Sequence, residues 1–371
     1  MIPEPIYPYV PFAGALVWNR SQADSSPLKV HVSFSPDWFA ARMALDMGER
    51  WHTDPAYRRE SFVSMAKALN TELPRLRLGG DPDSITGGLS QIHTCAPVAA
   101  LFGQEVVYAR EGWPENRRRL LDDAAADELT VPDFASGPLY ADLMRQMDLI
   151  GMRWGEIDGE LNYQGILNTA FRLRGEQIFI DMAAAPARAH HVLDVVCRTT
   201  MQFADAVYAR QARSGVVKDY FVTSNCVVNM ISEGHYREFV MPYDRVLSDH
   251  YPCFGVHNCG WKVDAYARAY SEIRRLGYLD FGIQSDLGAL AALFPGTTLT
   301  VILNPDDVIG RSAAEVRRTL ERLREVLGSC RIILGSLDGR TPSGEVEAFF
   351  DAAAAAWDLR VEDLVPRPHY G

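Results

Sequence analysis

The chain has 371 residues, of which 47% are hydrophobic and 23% are charged, and its formal net charge is −11. This composition is typical of a globular protein with a large apolar core, and the length suits a single (β/α)₈ barrel. The negative charge argues against nucleic acid and against an anionic membrane surface as partners, because both require clustered Lys and Arg. No run of about 18 apolar residues predicts a membrane span. No signal-like segment opens the sequence, so we expect a cytoplasmic protein.

The first half of the chain carries the weaker signals. We expect residues 36–70 to be helical and assign 1–70 to an N-terminal extension that packs on the barrel, within one domain of 1–371. Four short apolar stretches then predict strands, at 74–78, 88–92, 106–108 and 153–159.

The second half alternates between two kinds of segment. Short apolar or β-branched runs predict strands at 219–224, 253–257, 278–283, 298–303 and 330–334. The segments between them predict helices, including 263–276, 312–327 and 343–357. Such alternation indicates βαβ units and a parallel sheet, and with the early candidates it predicts a (β/α)₈ TIM barrel. A doubly wound open sheet is the alternative, and the absence of a Gly-x-Gly-x-x-Gly segment after a strand weakens it.

Hydrogen-bonding or ligand-type side chains follow each of the five late strands. They are, in chain order, Asn225 and Cys226; His257, Asn258 and Cys259; Gln284, Ser285 and Asp286; Asn304 and Asp306; and Ser336 and Asp338. Barrel enzymes keep their chemistry at the carboxyl ends of the strands, so we expect an active site there. The alternative is that loops are polar in any protein.

The segment His-Asn-Cys-Gly at 257–260 is the sharpest local motif. Residues two apart on an extended chain point the same way, so His257 and Cys259 could share a metal ion. Nitrogen and sulfur are the donors that zinc prefers. A third ligand could come from Cys226, Asp338 or Asp286. The alternative interpretation is a buried thiol beside a hydrogen-bonding imidazole, with the six scattered cysteines as free thiols rather than disulfides.

Two further segments predict contacts with a substrate. A second His-x-Cys motif begins at His93, for which we favour a substrate contact over a metal role. Residues 162–175 are dense in amides and cations, which fix the orientation of carboxylates and other polar groups. From this segment we expect Asn162, Gln164, Asn168 and Arg172 to orient the substrate.

The His-x-Cys-Gly segment resembles the zinc-binding strand end of the uroporphyrinogen decarboxylase and zinc methyltransferase superfamily. Similar surroundings are Met-Ile-Ser at 230–232, Phe-Val-Met-Pro-Tyr at 239–243, Asn-Pro at 304–305 and Gly-Arg-Thr-Pro at 339–342, within a match over about 145–357. Two features depart from the pattern. The last-strand loop has Asp338 where the methyltransferases have a zinc-binding Cys and the decarboxylases a His. The Arg-Gln-Ala-Gly-Arg-Tyr segment, with which the decarboxylases grip carboxylates, is missing.

The resemblance implies a zinc-dependent methyltransferase. Zinc on His257 and Cys259, with Cys226 or Asp338 as a further ligand, would bind an acceptor thiol, and a corrinoid on a separate protein would donate the methyl group. The resemblance also implies a homodimer. We expect His257, Cys259 and Asp338 to be catalytic, and the substrate contacts to include Asn225 and Gln284.

Two other classes of function stay open. A decarboxylase or lyase without essential metal would use Arg172 and Arg174 to hold carboxylates, and Asp338 or His257 to move protons. A non-enzymatic protein would bind a corrinoid or tetrapyrrole at the barrel mouth without turnover.

Overall fold

The computed structural model describes residues 26–365, and six of their strands form one parallel sheet. The strands are β1 (Leu28–Phe34), β2 (Glu105–Val107), β3 (Glu115–Arg117), β4 (Tyr220–Ser224), β5 (Cys253–His257), β6 (Leu276–Gly282), β7 (Thr298–Leu303) and β8 (Cys330–Leu337). The order in the sheet is β1-β8-β7-β6-β5-β4, and β2 and β3 form a separate antiparallel hairpin.

Helices surround this sheet. They are α1 (Pro36–Ala40), α2 (Glu49–Thr53), α3 (Pro55–Glu72), α4 (Pro97–Leu101), α5 (Asp123–Asp127), α6 (Pro138–Trp154), α7 (Ile166–Arg174), α8 (Gln177–Ala184), α9 (Pro186–Ala212), α10 (Glu233–His235), α11 (Met241–His250), α12 (Ala267–Ser271), α13 (Leu287–Leu293), α14 (Pro305–Val308), α15 (Ala313–Leu327), α16 (Ser343–Trp357) and α17 (Val361–Leu364). A π-helical turn at Tyr236–Val240 joins α10 to α11. No helix in the described part of the chain is both long enough and apolar enough to cross a membrane.

The parallel sheet with helices around it confirms the predicted α/β class, and its layout is that of a TIM-type barrel. Beyond the edge strand β4, Gly88 and Asp158 form a single parallel bridge. Lys218, just before β4, donates to the Asp158 carboxylate at 2.9 Å and ties this bridge to the sheet. No strand ladder within residues 26–365 joins β4 back to β1.

The late elements follow the sequence closely. All five predicted strands are present, and α15 begins where Ser312 and Glu315 form a capping box and ends before Gly328. The predicted helix over 263–276 is wrong at both ends, because only α12 is helical and Leu276 already pairs with Phe254 of β5.

The early strand predictions are mostly wrong. Residues 74–78 form turns, 88–92 contributes one bridge residue, and the stretch near 106 lies in the β2–β3 hairpin. The stretch 153–159 begins in α6 and supplies the other bridge residue.

The sheet strand that sequence reasoning missed is β1, in the segment that we assigned to an extension. It pairs with β8 along its whole length, while α1, α2 and α3 supply the expected helices after it. All seven residues of β1 are buried, including Lys29, His31 and Ser33. Their alternation with apolar residues hid the strand, because polar side chains here face the interior of the barrel rather than water.

Gly282 allows a close approach between the end of β6 and the loop after β5. A Cβ atom at this position would lie 2.0 Å from the carbonyl oxygen of Gly260. We predict that Gly282→Ala lowers the free energy of unfolding by about 1–3 kcal/mol, since the added methyl group must displace backbone. Urea unfolding measures the change. Gly296→Ala is the matched control, because within residues 26–365 no atom apart from its chain neighbours lies within 4 Å of its Cβ position. Equal stability of the two variants would contradict the prediction.

Candidate metal centre

Three side chains converge at the carboxyl ends of β4 and β5. The ligand atoms of Cys226, His257 and Cys259 all lie within 4.8 Å of one another. His257 ends β5 and pairs with Ser224 at the end of β4, so that Cys226, two residues further on, comes beside it. Cys259 has a φ of 50°, and this left-handed turn brings its sulfur to 3.0 Å from His257 Nε2. The pairing of two strands and one turn therefore assembles the cluster.

The imidazole of His257 is oriented by a buried carboxylate. Its Nδ1 lies 2.7 Å from Oδ2 of Asp280, whose side chain is 0% exposed. Asp280 also accepts hydrogen bonds from the backbone N–H of Asn258 at 2.6 Å and from the Tyr278 hydroxyl at 2.8 Å. Nε2 is thus directed at the sulfurs, in the carboxylate–imidazole arrangement that commonly supports metal-binding histidines.

Mutual hydrogen bonds and charges within the cluster shift the pKa values of its three members. The hydrogen bond with the Cys259 thiol lowers the pKa of Cys226 well below its usual value, against the effect of burial. Donation of that bond, together with burial, raises the pKa of Cys259. Burial would lower the pKa of His257, but the charges of Asp280 and the Cys226 thiolate outweigh it and raise this pKa to about 10. The surroundings of Cys226 therefore favour the thiolate form, which is the form of cysteine that binds metals.

These three residues suit zinc by their donor chemistry. Two sulfurs and one nitrogen are the protein ligands of one known type of catalytic zinc site, in which the fourth position stays open. Bond lengths of about 2.0–2.3 Å in a tetrahedron separate the donor atoms by roughly 3.5–3.8 Å. The spacing within the cluster, at most 4.8 Å, is close to that requirement. All six cysteines of the chain are free, so no disulfide removes the two thiols.

Of the three candidates for a third ligand, the structure brings Cys226 to the cluster and leaves Asp338 and Asp286 elsewhere. Asp338 lies past the end of β8, where it forms an ion pair with Arg340 at 2.6 Å and accepts from the Arg340 backbone N–H. Hydrogen bonds from Arg340 lower the pKa of Asp338. Asp286 caps α13 through the backbone N–H of Ala289. Asp338 and Asp286 therefore lie outside the three-residue cluster, which corrects the choice of third ligand, and the catalytic role of Asp338 stays a prediction.

A cavity of about 450 Å³ opens directly onto the cluster. Its wall includes three residues predicted to orient substrate, Gln164, Asn168 and Arg172. Asn168 is fixed in place because its Oδ1 accepts from the backbone N–H of Val227, next to Cys226, at 3.0 Å. The face of α7 that carries Asn168 and Arg172 thus forms one side of the cavity.

Four other predicted contacts do not line this cavity. Asn162 supports it from behind by bonding Gln164, and Asn225 is fully buried and donates to Asp244. Gln284 bonds Asp307. The Nδ1 atom of His93 lies within hydrogen-bond distance of the Tyr108 hydroxyl, at 3.1 Å. The backbone N–H of His93 donates to Nδ1 of His52. Each of these four side chains has at least one hydrogen-bond partner within the protein, which the sequence pattern does not reveal.

Sequence reasoning missed the contribution of the β2–β3 hairpin and of Cys95. The cavity wall includes Glu115, Asn116 and Arg118 from the hairpin and its end. Asn116 accepts from Arg172 at 3.3 Å, which joins the hairpin to α7. Cys95, the cysteine of the His-x-Cys motif that begins at His93, also lines the cavity but is not part of the three-residue cluster. The sequence signal available was the run of three arginines that follows Asn116.

Comparisons with known proteins place the chain in a family. The family model described as uroporphyrinogen decarboxylase (URO-D) matches residues 90–355. This is well over half of the chain, so the chain belongs to that family. A solved structure of a methyltransferase from Methanosarcina mazei is similar with a TM-score of 0.62 and 14% identity, over 88% of this chain and 90% of that one. At this identity the likeness shows the fold. No protein with a curated description matches the chain.

We predict that Asp280→Asn weakens zinc binding by about 10- to 100-fold, because the amide cannot hold the imidazole as the carboxylate does. Competition with a chromophoric chelator measures the affinity, and thermal melting verifies folding. Asp338→Asn is the control, and its affinity should equal that of the unmodified protein. If the two variants bind zinc equally well, Asp280 does not support the site.

Proposed function

We propose that this member of the uroporphyrinogen decarboxylase family is a zinc-dependent methyltransferase that moves a methyl group between a donor and a thiol. The observation that carries the proposal is the convergence of Cys226, His257 and Cys259 at the floor of a cavity. The structural neighbour that is named a methyltransferase supports it. A corrinoid on a separate protein is the donor that we favour, with another activated methyl compound as the alternative. A homodimer and a cytoplasmic location belong to the same proposal.

The chain's own residues would bind and orient the reactants. Zinc would lower the pKa of an acceptor thiol, so that a thiolate nucleophile exists at neutral pH. Cys226, His257 and Cys259 would hold the ion, and Asp280 would keep His257 Nε2 directed at it. The wall formed by α7 would hold the rest of the acceptor through hydrogen-bonding groups.

Metal analysis of purified protein tests this proposal. We predict about one zinc per chain, by mass spectrometry, in protein prepared without chelators, and its loss in Cys226→Ala, His257→Ala and Cys259→Ala, since each change removes one of three ligands. Cys95→Ala is the matched control, because this thiol lines the same cavity outside the cluster, and it should keep the metal. Metal-free wild-type protein, or zinc that survives all three changes, would contradict the proposal.

A decarboxylase or lyase on a carboxylated small molecule is the second candidate. Two arginines, Arg118 and Arg172, line the cavity without an ion pair to any carboxylate in the described part of the chain. Arg174, which we expected to hold a carboxylate, is instead 3% exposed and pairs with Asp181 at 2.8 Å. His257, whose pKa is raised to about 10, could donate a proton from its imidazole to a substrate in the cavity.

Metal dependence of turnover separates the two candidates. If carboxylated substrates are decarboxylated equally fast by zinc-loaded and by chelator-treated protein, and Arg172→Gln abolishes this turnover, the second candidate replaces the first. If the protein transfers a methyl group to a thiol and this reaction requires zinc, the second candidate is excluded.

A further inference from the structure

Two buried asparagines are direct neighbours of the three cluster residues in the chain. Asn225 precedes Cys226. Asn258 lies between His257 and Cys259. Both asparagines are fully buried, and the backbone N–H of Asn225 donates to the carbonyl of His257 at 2.7 Å. The positions of these two asparagines therefore determine where the neighbouring thiols lie, and groups that hold the asparagines also act on the cluster.

A buried carboxylate holds the first asparagine. Asp244 of α11 is 0% exposed, and its Oδ2 accepts from the Asn225 side-chain amide at 2.9 Å and from the Tyr236 hydroxyl at 2.8 Å. Its other oxygen, Oδ1, has no hydrogen-bond partner within residues 26–365. Burial raises the pKa of Asp244 to about 6, and the two hydrogen bonds oppose this rise. A carboxylate that is buried with so few partners is costly, and costs of this kind are expected at functional sites.

An irregular helix carries both partners of this carboxylate contact. Tyr236 opens the π-helical turn Tyr236–Val240, which leads directly into α11 with Asp244. Pro242, in the first turn of α11, has no N–H group to donate to the carbonyl four residues before it, so the regular helical pattern is interrupted there. Such π turns are rare and frequently lie at functional sites. The irregular turn thus coincides with the contact between Tyr236 and Asp244.

A second tyrosine holds the other asparagine. Tyr270 of α12 is fully buried and donates to Asn258 Oδ1 at 2.9 Å. Its ring packs edge-on against the ring of Tyr236, with 5.2 Å between the centroids. The aromatic contact joins the group that holds Asn258 to the group that holds Asn225. One buried network on α11, α12 and the π turn therefore contacts both loops that carry the cluster.

We propose that Asp244 is a positioning residue of the metal centre. Through the Asn225 side chain it holds the loop after β4, and this loop brings the Cys226 sulfur to the ligands that follow β5. Asp280 orients the imidazole of His257, whereas Asp244 places the one ligand that comes from a different strand end. The inference rests on the proposed function, because it gives Asp244 a role in metal binding.

Cobalt substitution of the full chain tests this inference, because the thiolate-to-cobalt absorption band reports how many sulfurs bind the metal. We expect Asp244→Ala to lower this band to the height measured for Cys226→Ala, since the loop no longer holds the sulfur beside the metal. We also expect the variant to bind zinc at least about tenfold more weakly, measured by competition with a chromophoric chelator. A folded Asp244→Ala protein with the band and affinity of the unmodified protein would overturn the inference.

Gln211→Ala is the matched control for a loss of buried hydrogen bonds. Gln211 is buried near the end of α9 and donates to the backbone carbonyls of Ile157 and Gly159 at 3.0 and 2.9 Å. These contacts lie near the amino end of β4, whereas Cys226 follows its carboxyl end. The control should lower the melting temperature, as Asp244→Ala does, but leave the cobalt band and the zinc affinity unchanged. Equal effects of both variants on the band would show general destabilisation and contradict the positioning role.

Two milder variants decide the question if Asp244→Ala does not fold. Asp244→Asn keeps an oxygen that can accept from both donors, so it should bind zinc nearly as tightly as the unmodified protein. Tyr236→Phe removes one of the two donors and should weaken zinc binding by a smaller factor than Asp244→Ala. Unchanged affinity in Tyr236→Phe, or a loss in Asp244→Asn as large as that in Cys226→Ala, would overturn the inference.

Hydrogen exchange of the metal-free protein separates this inference from the proposed function. By mass spectrometry we expect faster exchange over residues 225–231 in Asp244→Ala, and in Tyr236→Phe to a lesser degree, but not in Gln211→Ala. If the unmodified protein binds neither zinc nor cobalt and exchange still rises in this way, Asp244 positions the loop and the proposed function falls. If metal binds equally to all variants, the inference is overturned and the proposed function stands. If no metal binds and exchange does not change, both are wrong.

Discussion

The parallel, in-register pairing of β4 with β5 is the constraint on which the site depends. Ser224 lies opposite His257, and the backbone N–H of Asn225 donates to the carbonyl of His257 at 2.7 Å. The two strands therefore end at the same level, and the residues that follow them share one space. Cys226 and Cys259 are far apart in sequence, and a shift of the pairing by one residue would turn the imidazole to the other face of the sheet.

Buried polar groups then fix the details of this arrangement. A carboxylate that is removed from water is costly unless hydrogen bonds compensate for it. Asp280 obtains them from His257, Asn258 and Tyr278, and so links β6 to the end of β5. The same atoms that satisfy Asp280 determine which imidazole nitrogen faces the sulfurs. The orientation of the His257 imidazole is thus a consequence of satisfying a buried charge.

The cavity depends on a second close approach. Gly165 precedes α7, and a Cβ atom there would lie 2.2 Å from the carbonyl oxygen of Ser224. This contact lets α7 begin against the end of β4, where Asn168 bonds the backbone next to Cys226. The hairpin closes the wall from the other side through Asn116. Strand ends supply the two thiols and the imidazole, and α7 and the hairpin supply the cavity wall beside them.

The sequence predicted features that depend on neighbouring residues in the chain. It missed features that depend on which distant segments lie side by side in the fold. The late strands and the pair His257 and Cys259 follow from short patterns, because one strand end carries both ligands. The choice of Cys226 over Asp338 could not be made, since it depends on which strand end lies beside β5. The polar alternation of β1 faces a barrel interior, which sequence periodicity does not distinguish from solvent. Asn225 and Arg174 have the right chemistry for substrate binding but are used to satisfy Asp244 and Asp181.

X-ray absorption at the zinc edge is the most direct test of the central claim, that two sulfurs and one imidazole of this chain hold a metal open to a thiol. The account predicts a first shell of two sulfurs at about 2.3 Å and two lighter atoms, which changes to three sulfurs when an acceptor thiol binds. A shell of oxygen and nitrogen alone, or a sulfur count that no thiol changes, would contradict it.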